Sequence, residues 1–75
     1  MTSKTDNEPA KIYKDYQQRV VDEASALNEK LEKLNSFLDN LVDDMDHNEY
    51  TLLCIQKHAM STYLAVLNAR ILAFK

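Results

Sequence analysis

The chain has 75 residues, with no glycine, one proline, one cysteine and a formal net charge of -3. Without glycine it has almost no means of building phosphate loops, tight β-hairpins or nucleophile elbows, because these need residues that accept positive φ angles. The acidic surplus argues against a general binder of polymeric nucleic acid. The polar first residues and the lack of a run of about 18 apolar residues argue against a signal peptide or a membrane span.

The size of the chain predicts dependence on partner chains. A domain shorter than about 80 residues draws only about 3 to 5 kcal/mol of stability from a single core. Lone Cys54 cannot form an internal disulfide, and no cysteine cluster offers a structural zinc site. We therefore expect one small domain that gains stability by self-association in a reducing compartment, with Cys54 as a small buried residue on a helix.

A short helix and a long helix are predicted in the first half of the chain. Residues 1–8 are polar and predict a disordered tail, and Pro9 suits the first position of a helix. Apolar residues then recur at steps of three and four: Ile12, Tyr16, Val20, Ala24, Leu27, Leu31, Leu34, Leu38 and Leu41. The steps are all four up to Ala24 and alternate afterwards, which predicts a bend or break near residues 15–19. We expect helices over about 9–15 and 17–42.

A third helix is predicted over about 48–74, after a polar connection in which Asp46 and Glu49 resemble a capping box. One face of this helix carries Leu53, Met60, Leu64, Leu67, Ile71 and Phe74. Beside that face lie Leu52, Ile55, Ala59, Val66, Ala69 and Ala73. This apolar arc is wider than one helix can cover, and the remainder would face water. We predict an all-α protein, a single domain over 9–75 with an antiparallel hairpin, assembled as a homo-oligomeric bundle.

The sequence offers little chemistry for an enzyme or a metal site. Residues 44–55 imitate a calcium loop, but its sixth position is Glu49 instead of glycine and its twelfth is Ile55 instead of glutamate. Cys54 and His58 lie one helical turn apart, yet this spacing matches no zinc family. With two histidines and no glycine-built oxyanion loop, nucleophilic hydrolysis has little support. We expect no catalytic residue, no metal and no cofactor.

Aromatic and cationic side chains are mixed in the segment 11–19. Its tyrosines supply faces for base stacking, while its lysines, glutamines and Arg19 supply groups for phosphates and base edges. The same pattern also arises when Tyr16 is the amphipathic end of a core stripe with solvated cations around it. Lys30 and Lys33 stand beside glutamates, a spacing typical of a solvated helix face. Taken alone, these residues favour a solvated surface over a nucleotide site.

Three stretches carry a resemblance to a known family. They are residues 16–23 with their Tyr-x-x-Arg-Val-x-x-Glu pattern, residues 27–34 followed by Phe37, and the apolar C-terminal helix with Asn-Ala-Arg-Ile at 68–71. The chain resembles, over roughly residues 13–72, the phage-encoded second type of anti-CBASS protein, the cyclic-nucleotide sponges. The Tyr-x-x-Arg-Val-x-x-Glu opening is the least generic of these stretches.

The resemblance implies a function. The protein implied is a phage protein that acts in the host cytoplasm. It binds the cyclic oligonucleotide signals of a bacterial defence system without cutting them, and so keeps them from their effector. It implies a short first helix before two long antiparallel ones, and homohexamers with ligand sites between chains. The expected ligands are 3′,3′-cyclic GMP-AMP and related cyclic oligonucleotides, with neither a membrane nor polymeric nucleic acid as partner.

The resemblance also carries roles to individual residues. Tyr16 resembles the base-stacking aromatic, Gln17 takes the place of an adjacent amide, and Lys30 resembles the lysine that meets the phosphates. Arg70 resembles an arginine used at a separate site for cyclic trinucleotides. With two further cations, the expected ligand-binding residues are Tyr16, Gln17, Arg19, Lys30, Lys33 and Arg70. The alternative is a small helical oligomerisation or protein-interaction protein without a small-molecule ligand.

Overall fold

A computed structural model describes residues 12–41 and 45–75 of the chain. Within these residues the chain forms two α-helices, α1 (Asp15–Asp39) and α2 (His47–Ala73), and no strand. The two helices pack against each other as a hairpin. The all-α hairpin is thereby confirmed, whereas its oligomeric assembly stays a prediction. The expected tail over 1–8 lies outside the described residues.

The start of α1 differs from the expected pair of helices over 9–15 and 17–42. Lys14 is extended, with φ -67° and ψ 161°, and its backbone N–H donates to Oε1 of Gln17 at 2.9 Å. This bond is the reciprocal half of a capping box; lysine has no side-chain acceptor for the other half. With this cap α1 begins at Asp15. Residues 12–14 are not helical, and residues 9–11 lie outside the described range.

The connection between the helices begins at Asn40 and ends at Asp46. Both the backbone N–H and the side-chain Nδ2 of Asn40 donate to the carbonyl oxygen of Ser36, at 3.1 and 2.8 Å. Short polar side chains that bond locally in this way compete with further helical turns, and α1 ends at residue 39 instead of 42. At the other end, Asp46 Oδ2 accepts from the backbone N–H of Glu49 at 3.2 Å, the predicted cap of α2.

The hairpin core forms where one seam of α1 meets one seam of α2. Val20, Ala24 and Leu67 are its buried centre, and packed against them are Leu27, Leu64, Ile71 and Phe74. The apolar stripe predicted for α1 holds from Val20 onward. Ile12 and Tyr16 are exposed instead, because the chain before Asp15 is not helical and Gln17 takes the buried position at this end.

The predicted apolar arc of α2 divides into two faces. The first set of six residues, from Leu53 to Phe74, is buried or partly buried, and the second set is exposed. With Thr62 this exposed set forms what we call the outer seam of α2, at alternating steps of three and four: Leu52, Ile55, Ala59, Thr62, Val66, Ala69 and Ala73. Its largest side chains are 53% (Leu52), 57% (Ile55) and 51% (Val66) exposed. The hairpin therefore leaves one helix with an uncovered apolar face.

Candidate functional site

Tyr16 lies where α1 begins and α2 ends. Its ring meets Phe74 edge to face, with centroids 5.9 Å apart and planes at 75°. The ring of Tyr13 meets the same phenylalanine at 6.2 Å and 73°. Edge-to-face contacts of this kind stabilise a defined ring orientation. Tyr16 is 50% exposed, so a ring fixed on one side still offers surface on which a base can stack.

Gln17 faces the core instead of solvent, and is 3% exposed. Its Oε1 accepts the Lys14 N–H at 2.9 Å, and its Nε2 lies 3.5 Å from the Tyr16 hydroxyl. Buried polar groups are almost always hydrogen-bonded, and the cap of α1 supplies that bond. Gln17 thus holds the start of the helix on which Tyr16 is placed.

The α1 cations expected at the site share one face with Tyr16. Seven exposed residues recur on this face at alternating steps of three and four, and we call them the site stripe: Tyr16, Arg19, Glu23, Ala26, Lys30, Lys33 and Phe37. An aromatic ring begins the stripe and another ends it, with three cations between them. The structure therefore places four of the six expected ligand-binding residues in one line, adjacent to the seam that α1 buries.

Distance separates the members of the site stripe within one chain. Tyr16 and Lys30 are about 21 Å apart along the axis of α1, at about 1.5 Å per residue. Arg19 lies one turn from Tyr16, and Lys33 lies farther away than Lys30. A ligand that touches both the tyrosine and Lys30 at close range would take them from different chains.

Tyr63 of α2 joins the site stripe through Glu23. The Tyr63 hydroxyl donates a hydrogen bond to Oε2 of Glu23. This bond, together with burial and the carboxylate charge, raises the pKa of Tyr63, whereas the charge of Arg70 acts to lower it. Arg70 follows Tyr63 by seven residues, two turns along the same side of α2.

Sequence reasoning gave Glu23 and Tyr63 no role of their own. Two equal spacings could have indicated them, because Glu23 follows Tyr16 by seven residues and Arg70 follows Tyr63 by seven. Residues seven apart lie on the same face of a helix. The hydrogen bond between Glu23 and Tyr63 joins residues 40 positions apart. Neither spacing predicts which residues of the two helices lie opposite each other.

Comparison with known proteins identifies the family. Residues 14–73 match the family named Sequestin, a range that includes both helices and the connection between them. The chain belongs to the Sequestin family. The name accords with the resemblance to cyclic-nucleotide sponges and with a role in binding instead of catalysis. No curated protein matches this Sequestin family member, and no solved structure does.

Two concave surfaces of this Sequestin family member lie within the described residues and include residues of the expected site. A pocket of about 150 Å³ lies at the Tyr16 end, lined by Ile12, Tyr13, Gln17, Phe74 and Lys75. Ligand pockets usually measure about 300 to 1,000 Å³, so this one is too small for a nucleotide. A shallow hollow of about 360 Å³ is lined by Glu29, Glu32, Lys33 and Ser36. It is lined by two carboxylates and one lysine, so its net negative charge disfavours phosphate in the single chain.

Metal-ligand clusters and membrane-spanning helices are both absent from the described part of the Sequestin chain. Within residues 12–41 and 45–75, no three His, Cys, Asp or Glu side chains group as metal ligands, and no helix combines the length and apolar character that a membrane span requires. Cys54, expected to be buried, is partly buried. The thiol of Cys54, one turn further along α2, raises the pKa of Tyr50.

Proposed function

We propose that this Sequestin family member sequesters cyclic di- and trinucleotide second messengers without cleaving them, and thereby blocks activation of a CBASS effector in the cytoplasm of an infected bacterium. The observation that carries the proposal is the site stripe, on which half-exposed Tyr16 stands in line with Arg19, Lys30 and Lys33. Family membership supports sequestration, and the sequence resemblance supplies the ligand class.

The residue types of the stripe suit this ligand class. A cyclic dinucleotide offers flat bases and negative phosphates, and each base stacked on an aromatic ring contributes about 1 to 3 kcal/mol. A nanomolar site needs about -12 kcal/mol in total, more than one tyrosine and one lysine supply. Two chains related by a twofold axis present the same residues twice to a ligand that is itself nearly twofold symmetric.

Self-association completes the proposal, with a homohexamer as the expected assembly and ligand sites between its chains. Tyr16 and Lys30 are about 21 Å apart within α1, and they converge on one ligand when different chains supply them. The uncovered outer seam of α2 provides apolar surface for such contacts. Sequestration removes a signal by stoichiometry, so a short chain with several sites per assembly suits the task.

Calorimetric titration with 3′,3′-cyclic GMP-AMP tests the proposal. The oligomer is first confirmed by light scattering. We expect saturable heat with one ligand for every two chains, because a site on a twofold axis uses the same residues of both chains. No heat at micromolar concentrations would contradict the proposal for this ligand. The complex is then denatured and the nucleotide analysed by mass spectrometry; recovery of a linear product would show an enzyme instead.

The outer seam of α2 also favours a second function, that of an oligomerisation or protein-interaction protein without a small ligand. Exposed apolar surface at regular helical spacing is typical of faces that bind another helix. The same titration separates the two functions, because an assembly protein of this kind would form the oligomer but release no heat with any cyclic nucleotide.

A further inference from the structure

The outer seam of α2 is graded in size along the helix. Its bulkiest side chains, Leu52 and Ile55, lie in the first half, and its last two positions are Ala69 and Ala73. All seven residues of the seam are exposed, since α1 covers the opposite side of the helix. The alternating steps of three and four are those of a coiled-coil seam, which points to another helix as the covering element.

The size gradient determines the direction in which a second copy fits. In a parallel pair each residue faces its own copy, so Leu52 would meet leucine at one end while Ala69 would meet alanine at the other. Such an interface is wedge-shaped and leaves a void at the alanine end, whereas protein interiors are densely packed. In an antiparallel pair, Leu52 meets the partner's Ala69 and both ends receive one large and one small side chain.

The antiparallel register also agrees with the length of α2. When Leu52 faces the partner's Ala69, Ile55 faces the partner's Val66 and Ala59 faces the partner's Thr62. The twofold axis then passes between positions 59 and 62, which is close to the middle of the helix that spans His47–Ala73. The two copies of α2 therefore overlap over nearly their whole length, and no part of the seam is left uncovered except near Ala73.

Charge at the ends of α2 favours the same direction. Glu49 lies in the first turn and Arg70 in the last turn, and both occupy the same flank of the seam at a spacing of three heptads. The antiparallel register brings Glu49 alongside the partner's Arg70. It also sets the positive N-terminal end of one helix dipole beside the negative C-terminal end of the other.

We propose that α2 pairs antiparallel with α2 of a second copy through the outer seam, about a twofold axis between Ala59 and Thr62. The interface is isologous, so each contact occurs twice. Its alanines let the two helices approach to the short end of the usual range of about 8 to 10 Å between axes. This inference rests on the self-association in the proposed function but not on its ligand, and it names the helix, the face and the direction of pairing.

Disulfide trapping tests the direction of pairing. In a Cys54→Ser background, Leu52→Cys and Ala69→Cys chains are refolded together, oxidised mildly and separated on a non-reducing gel. Facing positions fall near the separation of about 4.4 to 6.8 Å between Cα atoms that a disulfide accepts. We expect the mixture to give covalent dimers and each variant alone to give few. Dimers from Leu52→Cys alone would show parallel pairing and overturn the proposal.

Two controls complete the trapping experiment. Ser61→Cys is exposed on α2 but lies outside the seam, and we expect no covalent dimer from it; dimers as abundant as those of the mixture would mean random collision and would overturn the assignment. Circular dichroism checks that each variant keeps its helices. Since no nucleotide is present, failure of this test and failure of the ligand titration are distinguishable outcomes.

A charge exchange provides a second measurement that does not alter the apolar seam. Glu49→Arg and Arg70→Glu each place like charges side by side in the antiparallel pair, and we expect either change to weaken association several-fold by light scattering during dilution. The double variant restores opposite charges, and we expect it to regain most of the lost association. If the double variant loses as much association as the two single variants together, Glu49 does not lie beside the partner's Arg70, and the antiparallel register is wrong.

Discussion

Tyr16 is held from one side and open on the other. Phe74 meets it edge to face, and the Gln17 amide approaches its hydroxyl. A ring that is already oriented loses little conformational entropy when a base stacks on it, which is how preorganisation raises affinity. The proposed role of Tyr16 therefore depends on its ring more than on its hydroxyl.

We expect Tyr16→Ala to weaken binding of 3′,3′-cyclic GMP-AMP by about 5- to 150-fold for each stacked base, which corresponds to about 1 to 3 kcal/mol. Tyr16→Phe keeps the ring and should bind within a few-fold of the natural chain. Tyr50→Ala is the matched control, because Tyr50 is similarly exposed but lies at the start of α2, whereas Tyr16 contacts the end of α2. Calorimetry measures the affinity and light scattering the oligomer; equal affinities for Tyr16→Ala and the natural chain would place the base elsewhere.

We expect Lys30→Ala to weaken the same binding by roughly tenfold or more, since a hydrogen bond to a charged group contributes about 1.5 to 3 kcal/mol. The loss should shrink as salt concentration rises, because salt screens the attraction between exposed lysines and phosphates. Lys57→Ala removes a cation of α2 outside the site stripe and away from the Tyr16 end, and serves as the control. A Lys30→Ala chain with the natural affinity at low salt would contradict the phosphate role.

The pH dependence of stability reports on Tyr63. Its hydrogen bond to Glu23 raises its pKa above the ordinary value of 10.0, so folding favours the protonated phenol. The resulting stability is present below pH 10 and is lost as the pH rises through the folded-state pKa. We expect Tyr63→Phe to flatten this alkaline loss, as measured by denaturant unfolding between neutral and alkaline pH at fixed protein concentration. An unchanged slope would mean that the bond contributes nothing to folding.

At the scale of the helix, the cap between Lys14 and Gln17 determines where α1 begins. Gln17→Ala removes the acceptor of the Lys14 N–H, and we expect it to lower the free energy of unfolding by about 0.5 to 2 kcal/mol, the usual cost of losing a cap. Gln17→Glu retains the acceptor but places a carboxylate at a position that is 3% exposed, so we expect it to recover little of this loss at neutral pH. Gln18→Ala, at the exposed neighbouring position, is the control for helix propensity in denaturant unfolding. Equal losses for Gln17→Ala and Gln18→Ala would show that the cap is unimportant.

Apolar spacing predicted the elements well wherever packing follows from periodicity. The stripe from Val20 to Leu41 and the face from Leu53 to Phe74 are buried or partly buried, as expected, and they supply the core around Val20, Ala24 and Leu67. The start of α1 could not be predicted in the same way, because lysine is not a typical capping residue and the bond depends on the Gln17 side chain folding back. The contact between Glu23 and Tyr63 depends on the axial register between the two helices, and the sequence pattern of a single helix does not determine that register.

At the scale of the whole molecule, the hairpin has one small core and one uncovered apolar face. Covering the outer seam removes more apolar surface from water, at about 25 cal/mol per Å², and a chain that folds and associates together has a stability that depends on its concentration. We expect the thermal midpoint to rise with protein concentration. A midpoint that stays constant over a hundredfold range of concentration would show that the hairpin is stable alone.

Ile55→Asp tests whether the outer seam is the source of that dependence. Ile55 is 57% exposed in the single chain, so covering it contributes about 1 kcal/mol per chain, and a buried unpaired carboxylate adds a further cost. We expect the variant to have a smaller mass by light scattering and a lower thermal midpoint that no longer changes with concentration. Ser61→Asp introduces the same charge on α2 outside the seam and should keep the natural mass. If both variants lose mass equally, net charge and not the outer seam controls association.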